Sequence, residues 1–93
     1  MHLEWTLPAL NDLKDAGDFI SQNSPQAAKR IAERVWESVE YLLKYPNMGR
    51  LGRVSETREL IVSGTPFIVV YRIHEISIQI LRVLHHARKW PAV

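Results

Sequence analysis

The side chains with the most chemical potential lie close together near the C-terminal end of the chain. His85 and His86 are adjacent, and three cationic or aromatic residues follow them closely, namely Arg88, Lys89 and Trp90. An imidazole titrates near neutral pH and can act as a general acid or base. A guanidinium from Arg82 or Arg88 could bind a phosphate. Two alternatives stay open, because His85 could instead end a strand by bonding to backbone, and Trp90 could pack on the sheet or anchor a partner.

The pattern does not predict a metal site or a cofactor. If a strand continues through His85 and His86, these side chains point to opposite faces and cannot share one ion. Asp, Glu and Cys are missing from their sequence neighbourhood, and the chain has no cysteine. A serine–histidine–aspartate order, a phosphate-binding glycine loop and a pair of catalytic carboxylates are also missing.

The elements that must position these residues are three short runs rich in β-branched and aromatic residues. They cover residues 58–62, 67–73 and 77–84 and predict three strands of an antiparallel meander. Ser63-Gly64-Thr65-Pro66 supplies the first turn, whereas the second turn, His74-Glu75-Ile76, contains no glycine. The meander therefore brings the histidines to one edge of a sheet.

The first half of the chain predicts a strand followed by two helices. His2–Trp5 fits an edge strand, and Thr6 with Pro8 starts a helix that continues to about Asn23. Ser24-Pro25 starts a second helix that continues to Tyr45-Pro46, and so short a link makes the helices antiparallel. Residues 46–56, with Gly49 and Gly52, predict a loop. The expected fold is α+β, with one antiparallel sheet of about four strands backed by a two-helix hairpin.

Length and composition predict a single domain spanning residues 1–93. A chain of 93 residues buries about 60–69% of its unfolded surface, so any site should be open rather than deeply enclosed. It lacks an apolar run of about 18 residues and a secretion signal, so we expect no contact with a membrane and a cytoplasmic location.

Charge is distributed unevenly along the chain. Residues 1–48 carry five cationic and seven acidic side chains, whereas residues 49–93 carry seven and three. Six of those seven cations are arginines, whose planar guanidinium suits carboxylates, phosphates and aromatic rings. This excess indicates an acidic partner or nucleic acid, or simply a solvated polar face.

The middle strand of the meander is apolar on both faces. Alternation places Phe67, Val69, Tyr71 and Ile73 on one face and Ile68, Val70 and Arg72 on the other. The helices can cover only one of these faces. The second face therefore predicts a protein partner, unless the terminal residues of the chain bury it.

The chain resembles toxins of the RelE/ParE superfamily over nearly its whole length. The most specific motifs are Arg58-Glu59-Leu60, Tyr71-Arg72, Leu81-Arg82-Val83-Leu84-His85 and Ala87-Arg88. The resemblance implies a growth-inhibiting toxin of a type II toxin–antitoxin module, of the kind associated with plasmid stabilisation, held by a flexible segment of its cognate antitoxin. With the apolar face and the arginines, it indicates an antitoxin-binding surface at Arg58, Ile68, Val70 and Arg72.

The superfamily implies two activities, and the residues favour the one that needs no catalysis. RelE-like toxins cut mRNA on the ribosome with lysines, arginines and a tyrosine, whereas ParE-like toxins poison DNA gyrase. Here Leu60 and Ile61 follow Arg58 on the first strand of the meander, Ile68 replaces an arginine and Trp90 replaces the tyrosine. Of the RNase set, only Arg88 carries over.

We therefore expect a gyrase poison rather than an enzyme. Its expected target-binding residues are Arg82, His85, Arg88, Lys89 and Trp90. Arg82 and Arg88 should be replaceable by alanine without loss of the fold. The alternative is a ribosome-dependent mRNA endonuclease with His85, Arg88 and Arg82 as catalytic candidates, and a second alternative is a small nucleic-acid-binding module.

Overall fold

The computed structural model describes residues 1–86. In chain order these residues form β1 (His2–Trp5), α1 (Leu7–Ser21), α2 (Pro25–Tyr41), β2 (Arg50–Leu51), β3 (Arg58–Ile61), β4 (Phe67–His74) and β5 (Ser77–His85). The α+β class and the order of strand, helical hairpin and meander are confirmed.

Both helices begin at the hydroxyl and proline signals seen in the sequence. Thr6 Oγ1 accepts a hydrogen bond from the Ala9 N–H at 3.3 Å, and Ser24 Oγ accepts one from the Ala27 N–H at 3.2 Å. The Thr6 hydroxyl also donates to the Ile80 carbonyl at 2.8 Å, which ties the start of α1 to β5. Neither helix of residues 1–86 is long and apolar enough to cross a membrane.

The sheet has five strands in the order β1-β5-β4-β3-β2. It differs from the expected sheet in two details. β2 is a two-residue strand inside the predicted loop, and β1 pairs with β5 in parallel rather than antiparallel orientation. The parallel pairing is possible because both helices and three further strands lie between β1 and β5 in the chain, and parallel strands need such a long connection.

One face of the sheet packs on the helices around a buried core. A β-bulge between β4 and β5 places Val70 opposite Arg82 and Tyr71 opposite Ile80, which leaves Leu81 as an extra residue. Such a bulge shifts the alternation of side chains. The core under the helices therefore includes Val35, Val39, Leu42, Leu60, Val62, Phe67, Val69, Tyr71, Ile78, Ile80 and Val83.

Candidate functional site

The two histidines stand at the end of β5, where the sequence places them. Both are exposed. Their rings stack at a centroid distance of 4.7 Å, and the His85 ring meets Phe67 edge-on at 5.9 Å. They do not point to opposite faces of a strand, because β5 ends at His85 and the His86 N–H donates to the Pro66 carbonyl at 2.8 Å.

The remaining members of the expected target-binding set, Arg88, Lys89 and Trp90, lie outside the described residues. Within residues 1–86, no group of three or more His, Cys, Asp or Glu side chains is placed to hold a metal ion.

Arg82 has a structural partner that its sequence neighbourhood does not reveal. Its Nε lies 2.7 Å from Asp12 Oδ2 and its Nη2 lies 2.9 Å from Asp12 Oδ1. The Val83 N–H also donates to Asp12 Oδ2 at 2.9 Å. The hydrogen bonds to Asp12 raise the pKa of the Arg82 guanidinium. The expectation that Arg82 can be removed without consequence for the fold is therefore corrected, because this arginine fastens α1 to β5.

A buried tyrosine holds the segment between α2 and β2. Tyr71 has no exposed surface, and its hydroxyl donates to the Pro46 carbonyl at 2.7 Å. The same hydroxyl accepts a hydrogen bond from the Gly49 N–H at 2.9 Å. Burial raises the pKa of the Tyr71 phenol. The tyrosine is thus a core residue, as alternation indicates, with its polar end used to hold a loop.

Arg58 holds the same loop from the neighbouring strand. Its Nη1 donates to the Gly49 carbonyl at 2.7 Å and lies 3.3 Å from the Asn47 carbonyl. The guanidinium that was assigned to antitoxin binding is therefore engaged within the fold. Sequence reasoning missed this role because the acceptors are backbone carbonyls, which any residue carries.

Glu59 is the third residue that holds the predicted loop of residues 46–56 in place, a role that the sequence analysis did not predict. Only 2% of its side chain is exposed, and its Oε1 lies 3.4 Å from Arg50 Nη2 and 3.6 Å from Arg53 Nη2. Its Oε2 accepts the Arg53 N–H at 3.1 Å. A buried carboxylate costs free energy unless it is paired and hydrogen-bonded. The pairing therefore keeps both arginine side chains against the sheet while leaving about half of each exposed.

Arg72 begins a line of polar contacts across β4, β5 and β1. Its Nε donates to Gln79 Oε1, and Gln79 Nε2 donates to Glu4 Oε2 at 3.2 Å. Ser77 Oγ donates to Glu4 Oε1 at 3.3 Å. The hydrogen bond from Gln79 is the main cause that lowers the pKa of Glu4. The Arg72 guanidinium is thus hydrogen-bonded to a side chain of the neighbouring strand β5.

The second face of β4 is apolar, as alternation predicts, but it is not open at the expected positions. Ile68 and Val70 retain 8% and 1% of their surface, and neither belongs to the core under the helices. They therefore expose almost no area in this structure, and their assignment to antitoxin binding stays a prediction. An alternating pattern reports which side chains are apolar and not which are accessible.

An accessible apolar groove lies at the other end of the sheet edge, beside α2. The groove has a volume of about 400 Å³ and lies between the second half of α2, the segment after it and β3. We call it the edge groove, and its exposed apolar residues are Tyr41 (58% exposed), Tyr45 (56%), Met48 (47%) and Ile61 (62%). Sequence reasoning missed it, although the spacing of Tyr41 and Tyr45 by four residues was an available signal.

The interior of this small α+β fold holds little empty space. The space left between helices and sheet is only about 10 Å³, about what one water molecule needs. The part of the core that this space occupies therefore has no room for a small-molecule ligand.

Comparison with known proteins identifies the family. Residues 3–90 match the family described as the ParE toxin of the type II toxin–antitoxin system parDE. The chain belongs to this family, within the RelE/ParE superfamily that its motifs resemble.

Individual relatives agree with this assignment. The candidate toxin Y4kP of Sinorhizobium fredii is 41% identical over 91 residues, which are 98% of this chain and 94% of that protein. Toxin RelE2 of Caulobacter vibrioides is 39% identical over 84 residues, which are 90% and 93% of the two chains. A solved structure of the chromosomal ParDE system of P. aeruginosa is similar with a TM-score of 0.82 and 30% identity, covering 91% of this chain and 95% of that one.

Proposed function

We propose that this protein is a growth-inhibiting toxin that poisons DNA gyrase through protein contacts and is neutralised by a cognate antitoxin. The family supports the toxin class and implies the antitoxin partner. The observation that carries the choice of gyrase over RNA is that the fold itself uses three of the arginines that could have bound a phosphate.

The three arginines donate to acceptors within the protein. Arg82 is bound to Asp12 through two nitrogens. Arg58 donates to backbone carbonyls of the loop, and Arg72 donates to the side chain of Gln79. An RNA-cleaving site needs cations directed at the charge that develops on the phosphate in the transition state. These three would have to leave their partners to do so, whereas a gyrase poison needs only a complementary surface.

We place the target-binding surface at the end of β5. His85 is exposed there, and the proposal extends to Arg88, Lys89 and Trp90, which follow it in the sequence. Arg82 contributes indirectly, by holding β5 against α1. Cations would steer the encounter, and an aromatic side chain would anchor the bound partner. A protein with this target acts in the cytoplasm.

The alternative is a ribosome-dependent mRNA endonuclease, and one observation favours it. Two exposed imidazoles lie 4.7 Å apart at the end of β5, where one could act as an acid and the other as a base. A similar protein from Caulobacter vibrioides also bears the name RelE2.

The experiment that separates the two functions uses the purified protein in parallel assays. We expect it to inhibit gyrase supercoiling or to trap the cleaved complex, and to leave mRNA on translating ribosomes uncut. His85→Ala should weaken inhibition with an unchanged melting temperature, and His74→Ala, an exposed histidine at the other end of the meander, is the matched control. Codon-phased cleavage of ribosome-bound mRNA, lost in His85→Ala, with gyrase unaffected, would reverse the assignment.

A further inference from the structure

β1 is an outermost strand of the sheet, and one of its two edges is open. The strand order places β5 on one side of β1, and no strand of residues 1–86 lies on the other side. The strand at the opposite margin, β2, has only two residues, whereas β1 has four. An open strand edge presents unpaired backbone N–H and C=O groups, which can pair with another strand.

The bonds on the β5 side determine which backbone groups of β1 face outward. The N–H groups of His2 and Thr6 donate to carbonyls of β5 and of the turn before it, at 2.9 and 3.1 Å. Successive residues of a strand direct their N–H and C=O groups to alternate sides, so Glu4 also bonds toward β5. Leu3 and Trp5 therefore direct their backbone groups away from the sheet, where a further strand could use them.

The side chains of β1 form an apolar row and a charged row on opposite faces. Leu3 and Trp5 pack against the core under the helices, and the Trp5 ring stacks on Trp36 of α2 at a centroid distance of 5.2 Å. Trp36 remains 47% exposed, so apolar surface stays accessible beside β1. His2 and Glu4 lie on the other face by alternation, with 57% and 44% of their side chains exposed.

Two copies of β1 can pair with each other in very few registers. Edge strands related by a two-fold axis run antiparallel, and outward-facing residues must lie opposite each other to exchange hydrogen bonds. Within His2–Trp5, two such registers pair three residues of each strand. One places Leu3 on the axis and sets His2 opposite Glu4 of the second copy. The other places Glu4 on the axis, opposite its own counterpart.

Charge selects between these two registers. Like charges directly opposite each other in a sheet destabilise the pair, which disfavours the register with Glu4 on the axis. In the register with Leu3 on the axis, His2 faces Glu4 once on each side of the axis. These are non-hydrogen-bonded positions, where opposing side chains approach most closely. A second copy of this chain thus matches both the apolar row and the charged row of β1.

We propose that two copies of this chain associate through β1, with Leu3 at the two-fold axis, so that the five strands of each copy form one continuous sheet. Leu3 exchanges two backbone hydrogen bonds with its counterpart. On the helical side, Trp5 and Trp36 of each copy bring apolar surface to the interface. On the other side, His2 and Glu4 pair across it.

This arrangement leaves the end of β5 outside the interface. β1 pairs only with Ser77–Ile80 of β5, and the five further residues to His85 extend about 16 Å beyond it. The dimer therefore carries two copies of the surface around His85. The proposal is independent of whether gyrase or the ribosome is the target.

Sedimentation and hydrogen exchange test the proposal in the unmodified protein. We expect a reversible monomer–dimer equilibrium, with a dimer fraction that rises as the concentration increases to about 1 mM. Over the same range, exchange at the Leu3 amide should slow by at least about tenfold. The Glu4 amide bonds to β5 in both states, and its exchange should not depend on concentration.

Two results of these measurements would overturn the proposal. The first is a protein that remains monomeric at about 1 mM. The second is a dimer in which the Leu3 amide exchanges as fast as in the monomer, because the interface would then lie on another surface.

Charge substitutions at the paired positions test the register. His2→Glu sets two carboxylates opposite each other on both sides of the axis and should weaken the dimer by at least about tenfold. Mixing this variant with Glu4→Lys should restore association, because the new carboxylate then faces the new ammonium group. His74→Glu makes the same charge change at an exposed histidine at the end of β4. This matched control should dimerise like the wild type.

The register is wrong if folded His2→Glu dimerises as tightly as the wild type, or if mixing the two variants restores nothing. Circular dichroism establishes that each variant folds. If one does not fold, the exchange of the Leu3 amide in the unmodified protein decides.

Discussion

Gly49 donates its backbone N–H to the hydroxyl of Tyr71 at 2.9 Å, across 22 residues of sequence. A Cβ at residue 49 would lie 2.7 Å from Tyr71 Cε1 and 2.8 Å from the Tyr71 hydroxyl oxygen. Glycine is required here by a close approach, because any larger residue would displace the loop or the buried ring. The position of the segment after α2, which lines the edge groove, therefore depends on this contact.

We predict that Gly49→Ala destabilises the protein by about 1–3 kcal/mol through this overlap. The measurement is the free energy of unfolding in urea. Gly17→Ala is the matched control, since a Cβ at Gly17 of α1 meets nothing within 4 Å. That substitution should stabilise the protein by about 0.5–1 kcal/mol, because glycine is unfavourable inside a helix. Equal effects of the two substitutions would contradict the steric explanation.

Tyr71→Phe should cost about 1–3 kcal/mol, because it leaves the Gly49 N–H and the Pro46 carbonyl without their partner. It should also change the pH dependence of stability. The raised pKa of Tyr71 stabilises the folded state below the ordinary tyrosine pKa of about 10, and this contribution is lost as pH rises through the raised value.

Wild-type stability should therefore fall more steeply above about pH 9 than that of Tyr71→Phe. Urea unfolding at several pH values measures the difference. Parallel curves for the two proteins would show that the phenol titrates alike in the folded and unfolded chains.

Arg82→Ala should lower stability by about 2–4 kcal/mol, since it leaves the largely buried Asp12 carboxylate without its cation. Only 10% of the Asp12 side chain is exposed. Thermal and urea unfolding measure the loss, and any loss of toxicity should follow it. Lys14→Ala is the control, because the pair of Lys14 with Asp18 is solvent-exposed and should contribute less than about 1 kcal/mol. A fully stable Arg82→Ala protein without toxicity would return Arg82 to the target-binding surface.

Glu59→Gln should loosen the loop that carries Arg50 and Arg53. The substitution keeps the size of the side chain but removes the charge that both guanidiniums face, at an expected cost of about 1–3 kcal/mol. Hydrogen exchange at the Arg53 amide, which bonds to Glu59 Oε2 at 3.1 Å, should accelerate. Glu56→Gln alters an exposed carboxylate nearby and should change neither quantity. Unchanged exchange at Arg53 in Glu59→Gln would show that the loop is held by other contacts.

The sequence alone determined the elements whose signals are local. Helix starts at Thr6 and Ser24 could be predicted because a cap and the N–H that it accepts lie three residues apart. The meander could be predicted because alternation is a property of each strand separately. The family motifs are likewise short runs of residues, and the comparison confirmed the family that they indicate.

The tertiary structure alone decided which partner each polar side chain found and which surfaces stayed open. Asp12 and Arg82 are 70 residues apart, and Tyr71 meets Gly49 only when the loop after α2 folds back on the sheet. The bulge at Leu81 redirects the side chains of β5. Pairing across such separations depends on how the elements pack. The local sequence of an arginine does not show whether it forms an ion pair within the fold or binds another protein.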